Sequence, residues 1–249
     1  MTRGGAAETS PDLGPYLGPG TFIDSNHPEV RAFAETTTAR VTDDIEKAVR
    51  LYYAVRDGIP YDPYFVGEAP RFYQASACLR AERGFCIPKA ALLAAAARAV
   101  SVPARVGYAD VRNHLTTKKL FELVGGDVFY WHGFTELYLE GRWVRATPAF
   151  NLGLCERFGV HPLEFDGRRD SLFHEYDRAG RRHMEYIDYH GHYADVPFET
   201  IVALFRRLHP RWLELGAGGQ ARDFAGEAAA ESSRKSNEAA QTGRVADPL

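Results

Sequence analysis

The stretch Arg83-Gly84-Phe85-Cys86-Ile87-Pro88-Lys89-Ala90-Ala91-Leu92-Leu93-Ala94-Ala95-Ala96-Ala97 decides the fold. Proline is tolerated only in the first turn of a helix, so Pro88 pins a helix start near Cys86. From Ala90 to Ala97 the run is apolar on every face. The spacing predicts a helix over 86–99, buried on all sides, with small alanines that let neighbouring elements approach closely. This helix opens on a thiol.

Working outward, a second helix is predicted over 42–56. Thr42 stands as its N-cap, Asp43, Asp44 and Glu46 favour its positive end, and Ile45, Ala48, Val49, Tyr52 and Val55 form the apolar stripe. Two prolines keep Ile59-Pro60-Tyr61-Asp62-Pro63-Tyr64 extended or turned. Downstream, 100–111 reads as a strand entered through Pro103. An aromatic-rich strand over 129–139 turns near Leu139-Glu140-Gly141 into another over 142–147. A last helix is expected over 197–208, with Ile201, Leu204, Phe205 and Leu208 as its stripe. Helices followed by strands place the chain in the α+β class. Residues 1–20, rich in Gly and Pro, read as a flexible arm, and 21–215 as the folded domain. Residues 216–249, with Phe224 as the one aromatic, read as a disordered tail whose removal leaves stability unchanged, the alternative being a short Ala/Glu helix around Gly226 to Ala240.

Composition excludes several classes. The chain has 249 residues, 45% of them hydrophobic, which is ordinary for one globular domain. A net charge of −3 argues against a generic nucleic-acid binder. No uncharged apolar run approaches the roughly 18–20 residues of a membrane span. Met1–Ser10 contains no apolar signal core, and three cysteines cannot form a disulfide framework, so a reducing cytoplasm is the expected setting.

Cys86 differs from the other two thiols in its physical setting. Cys78 and Cys155 lie in half-apolar stretches and read as buried small hydrophobes. At a helix N-terminus, the positive end of the macrodipole favours thiolate, and free N–H groups can serve an oxyanion. Gly84 is expected to let the chain turn sharply beside the thiol. A nucleophilic cysteine needs a base, normally histidine. Of nine histidines, His132 stands inside the aromatic strand, where the ladder would hold its ring rigidly. A His183, His190 and His192 metal set is an alternative with irregular ligand spacing. The base in turn needs an orienter. A two-residue turn at Leu139-Glu140 places Thr147 opposite His132. A turn at Glu140-Gly141 places Ala149 opposite, with Thr147 and Asn151 diagonal.

These pieces resemble the transglutaminase-like core. The Cys segment of that family is a Gly-x-Cys opening a helix, followed by a turn reading Ile/Val-Pro-Ala-Arg. Gly84-Phe85-Cys86, Lys89 to Leu93 and Val102-Pro103-Ala104-Arg105 are similar to it. His132-Gly133-Phe134-Thr135-Glu136-Leu137-Tyr138, then Trp143-Val144, resembles the family's His segment. The resemblance implies a papain-like α+β fold, in which a buried helix carrying the Cys packs on an antiparallel sheet carrying the His. It further implies Cys86 as nucleophile and His132 as base of a Cys-His-Asp triad, with the family's Asp position falling on Thr147. Asn151 is the alternative orienter, and Gln74 or Trp131 the candidate side-chain donor to an oxyanion. The expected activity is thiol-dependent amide hydrolysis or acyl transfer on a peptide, protein or small amide. Neither cofactor nor metal, nucleic acid nor membrane is expected to take part. The competing expectation is a weakly active or inactive binding module, since a threonine cannot stabilise imidazolium by charge.

Overall fold

The computed structural model describes residues 11–114, 116–172, 176–217 and 223–231. The Cys86 helix, α4 (Cys86–Ala99), is the axis of the fold, with Ile87 and Leu92 to Ala97 fully shielded from solvent. On one side lie α1 (Pro28–Thr37), α2 (Asp44–Gly58) and α3 (Ala75–Ala81). On the other lie β1 (Ala104–Asn113) and β2 (Val128–Leu139). An all-apolar helix needs such cover on every face.

Four antiparallel strands form one sheet in the order β3-β2-β1-β4. The tight turn at Glu140 and Gly141, both at positive φ, joins β2 to β3 (Arg142–Ala146). Leu139 pairs with Arg142 and Thr135 with Ala146. Continued past Ala146, this is the register that sets Ala149 opposite His132 and Thr147 diagonal to it. β4 (Met184–Tyr193) is an edge strand that sequence patterning did not expect. Its central residues are exposed and its pairing with β1 shifts twice, so no alternation marks it.

Short connecting helices complete the domain: α5 (Lys118–Val124), α6 (Leu152–Phe158), α7 (Phe198–Leu208) and α8 (Pro210–Ala217). The α2 helix starts two residues later than expected, with Asp43 in place of Thr42 as its cap, accepting from the Glu46 N–H at 2.8 Å. Among the described residues, no helix is long and apolar enough to cross a membrane.

Both expected loose ends are partly fastened. Residues 1–10 lie outside the described residues. In the remainder of the arm, Tyr16 packs edge-on against Trp143, and the Gly18 carbonyl accepts from Arg98 Nη1 at 2.8 Å. Of the expected tail, 218–222 and 232–249 lie outside the described residues. Residues 224–231 form a helix, α9, with Phe224 and Ala228 buried. The Phe224 ring sits among Tyr61, Tyr64 and Phe158, with centroids 5.9–6.0 Å away. Glu227 pairs with Tyr64 Oη and Lys119 Nζ, and Glu231 accepts from the Lys118 N–H at 2.9 Å. One well-placed aromatic is enough to dock a polar segment that composition alone marks as loose.

Truncation after Ala217 therefore removes core, contrary to the expectation of an unchanged stability. Phe224→Ala should cost about 3 kcal/mol, as large-to-small changes at buried aromatics do. For a chain of this size that is a Tm lower by roughly 6–12 °C, read by thermal unfolding followed by circular dichroism.

Candidate active site

Cys86 and His132 line one cleft, walled chiefly by aromatic rings. The α4 helix brings the thiol, because Cys86 is its first residue and Phe85, its N-cap, offers no side-chain cap. The first-turn N–H groups of Cys86 and Ile87 are thus left free for the sulfur. Strand β2 brings the imidazole. The two elements touch at Gly133, where a Cβ would lie 3.1 Å from Ile87 Cα and 3.4 Å from Ile87 N. Thr135 Oγ1 donates to the Ala90 carbonyl at 2.9 Å, a second clamp one turn further along α4.

The strand is bent just before His132. Ala109 pairs with His132 and Val111 with Phe129, so Tyr130 and Trp131 together oppose Asp110. This is a β-bulge, and Trp131 takes φ of +55° within it, a costly conformation for a bulky residue. The bulge is held from β1 and β4. Asp110 Oδ1 accepts from the Trp131 N–H at 3.0 Å and meets His190 Nε2 at 2.7 Å, while the His190 ring stacks on Trp131 at 5.0 Å. Trp131 therefore shapes the strand that presents His132. Its indole packs against His190, Tyr108 and Tyr193 outside the cleft wall.

The Cys loop is anchored from α2. Lys89 is completely buried, and its Nζ donates to the Arg56 carbonyl at 3.0 Å and to the Ile59 carbonyl, capping α2. Burial lowers Lys89 to about 7. Past that cap, Gly84 N donates to the Pro60 carbonyl and Asp62 N to the Gly84 carbonyl, so Tyr61 runs beside Gly84 and reaches the cleft. Gly84 itself does not make the sharp turn expected of it. A Cβ there would strike Cys78 Sγ at 2.8 Å, so the glycine is required by packing.

The electrostatics reverse the expectation of a thiolate. Burial pushes the Cys86 thiol up to about 11, against the opposing pull of the Gly133, Ile87 and Cys86 N–H groups. Burial alone lowers His132 to about 4. Desolvation disfavours both charged forms and outweighs the helix dipole, so the resting pair is neutral thiol and neutral imidazole. Cys78 and Cys155, fully buried, are driven higher still, to about 12.

The two expected orienters part company. Thr147 shares a small cavity with His132, and its Oγ1 is buried without a partner. Asn151 is occupied elsewhere: its Oδ1 accepts from the Tyr61 N–H at 3.1 Å. Gln74 caps nothing in the cleft and donates instead to the Thr21 carbonyl at 3.2 Å. The structure does not bring His183, His190 and His192 together. Among the described residues, Asp110, Asp188 and His190 are the one set of potential metal-ligand atoms within reach of each other, and Asp110 already serves the bulge.

Residues 31–148 match the family model of the transglutaminase-like superfamily. They form a transglutaminase-like core. No curated protein searched matches the chain. Two solved structures are similar. One is of a candidate cysteine protease from Cytophaga hutchinsonii, 18% identical with a TM-score of 0.43 over 75% of this chain. The other is of a candidate protease from Parabacteroides distasonis, 17% identical with a TM-score of 0.35 over 48% of this chain. The chain spans 55% of the length of the first and 23% of the second. The transglutaminase-like core holds all but the first three residues of α1, with α2 to α5, β1 to β3, Cys86, His132 and Thr147. It leaves β4 and α7 to α9, which complete the bulge and the cleft, outside the matched span.

Two measurements probe this geometry. Gly133→Ala should push β2 off α4, costing about 1–3 kcal/mol as overpacking does and slowing iodoacetamide alkylation of Cys86. Stability should also depend on acid. His132 and His183 are both held near 4 by burial, against 6.5 when unfolded. Between those values the unfolded chain binds protons that the folded chain does not, so stability is full above pH 6.5 and falls as pH drops toward 4. Thermal scans should show Tm lower by roughly 10 °C at pH 4.5 than at pH 7, with His183→Gln losing about half of that fall.

Proposed function

We propose that the protein is a thiol-dependent amide hydrolase or acyltransferase that works through a thioacyl intermediate on Cys86. The carrying observation is the placement of Cys86 and His132 on one cleft, with N–H groups of Gly133 and Ile87 turned toward the sulfur. The substrate is a peptide, protein or small amide.

In this reading His132 takes the Cys86 proton as the sulfur attacks the amide carbonyl, so charge appears only as the bond forms. The C–S bond closes while the carbonyl oxygen gains the negative charge, and the freed backbone N–H groups receive it. His132 then returns its proton to the leaving amine as the C–N bond breaks. Water or a second amine attacks the thioester and regenerates the thiol. Bulk water makes hydrolysis the default outcome, and acyl transfer requires an acceptor that excludes it.

We assign Thr147 the orienter's role because it shares the small cavity with His132 and its hydroxyl, unengaged at rest, is available to the imidazolium as it forms. A second reading, a weakly active binding module, draws on the same residue, because burial is the sole cause of the His132 shift and no carboxylate offsets it.

Alkylation with peptide mapping tests the proposal. Cys86 should label first of the three thiols, and its rate should climb through pH 8–10 without an inflection near neutrality. His132→Ala and Cys86→Ala should abolish cleavage of any amide found by mass-spectrometric screening. Thr147→Asp should raise the His132 pKa and speed labelling at pH 6 by roughly tenfold, since charge-assisted hydrogen bonds are about twice as strong as neutral ones. Asn151→Ala should leave labelling within about twofold, as a residue committed to Tyr61 should. Faster labelling of Cys78 or Cys155 sinks the nucleophile assignment. Prompt Cys86 labelling with no turnover of any amide favours the binding module.

A further inference from the structure

The cleft at Cys86 is closed to the reaction that its residues suit. Its free volume is about 30 Å³, room for roughly one or two waters and not for an amide with its acyl and amine arms. A wall must give way before the thiol can meet a carbonyl. The walls are unequally fixed. Phe85 and Cys86 stand at the buried start of α4, and Phe129, Tyr130 and His132 belong to β2. The α7 and α8 helices bury Ile201, Val202, Phe205, Trp212 and Leu213, and Trp212 Nε1 donates to the Pro63 carbonyl at 2.7 Å. The α9 helix brings Phe224 into the cleft wall and buries two side chains, Phe224 and Ala228. Its other ties lie near the surface: the Glu227 carboxylate meets Lys119 Nζ and Tyr64 Oη, and Glu231 accepts from the Lys118 N–H at 2.9 Å. An element with few buried apolar contacts and partly exposed polar ones opens at lower cost than the core around it. The Phe224 ring rests on Tyr61 and Phe158, which line the same cleft, so lifting α9 removes part of the wall.

We propose that α9 is an autoinhibitory latch: docked, it keeps the Cys86 cleft closed to substrate, and released, it opens the cleft beside Tyr61. The inference rests on Cys86 being the nucleophile and adds what controls access to it. The latch has two working parts. The Phe224 ring fills the wall, and the pairing of Glu227 with Lys119 fastens the helix across the gap to α5. Because α9 lies outside residues 31–148, it is not part of the span that matches the family model. Docked and released forms are in equilibrium, so whatever weakens either part raises the fraction of molecules in which the thiol is reachable.

Alkylation of the full chain by 2-iodo-N-phenylacetamide, a probe too large for the closed cleft, tests it, with each thiol mapped by mass spectrometry. Lys119→Glu and Glu227→Lys each replace an attraction by a repulsion at the surface, and each should speed Cys86 labelling by roughly three- to tenfold. The double variant Lys119→Glu/Glu227→Lys restores opposite charges and should return the rate to within about twofold of native. Phe224→Ala, which removes the buried ring, should speed labelling on the order of a hundredfold. Release of one short helix exposes little surface, so the native Cys86 rate should rise only slightly up to about 1 M urea, while labelling of Cys78, which needs the core to open, should climb steeply. Rates unchanged by both charge reversals overturn the proposal. So does a double variant as fast as the single ones, a Cys86 rate that follows Cys78 through the urea series, or a Cys86 that no variant exposes. Where Phe224→Ala does not fold, the charge reversals and the urea series still decide. Failure of the nucleophile reading shows separately: Cys86→Ala would keep turnover of an amide found by screening, and the autoinhibitory role falls with it.

Discussion

The close approach of β2 to the start of α4 is the constraint on which the rest of the site depends. With no side chain at Gly133, the strand comes within van der Waals contact of the Ile87 backbone. Thr135 secures the contact by donating its hydroxyl to the Ala90 carbonyl in the dry interior between them. Everything chemical follows from this seam. It sets His132 on the cleft that holds Cys86, and it points the Gly133 N–H at the sulfur. A helix opened by cysteine and a strand carrying histidine are only raw material until two backbones pack this tightly.

Tight packing also determines the charge state of the pair. A helix N-terminus contributes a partial positive charge that is worth at most a couple of kcal/mol. Removing a thiolate or an imidazolium from water costs more, and both side chains are more than nine-tenths shielded. The resting pair is therefore uncharged. Such a site gains from any group that stabilises imidazolium, which is why a threonine at 147 matters more here than it would in an exposed pair.

Support for the seam comes from three directions. From α2, the buried Lys89 ammonium or amine caps the helix end and fixes the Pro60–Asp62 segment against Gly84. From β4, His190 holds Asp110 and Trp131 in the bulge that ends at His132. From the C-terminal side, α9 lays Phe224 against Tyr61 and Phe158 on the cleft wall. Two of these three supports lie beyond the span that matches the transglutaminase-like family model.

The local sequence by itself determined the elements with strong periodicity or hard stereochemistry. Pro88 and the alanine run defined α4, a run rich in aromatics defined β2, and Glu140-Gly141 belongs to the turn between β2 and β3. Cys86 and His132 drew attention as a thiol at a helix start and an imidazole in a strand, the family resemblance paired them, and the structure sets both on one cleft. The edge strand β4 left no trace, since a strand with an exposed centre and two register shifts has no alternation to read. The docking of Phe224 was invisible for a related reason: a single aromatic in polar surroundings acquires meaning only from the rings that receive it. Tertiary structure alone separated Thr147 from Asn151, setting Thr147 in the small cavity with His132 and committing the Asn151 oxygen to the Tyr61 N–H. It alone decided the protonation of the pair, since desolvation is a property of everything packed around a group and not of its neighbours in the chain.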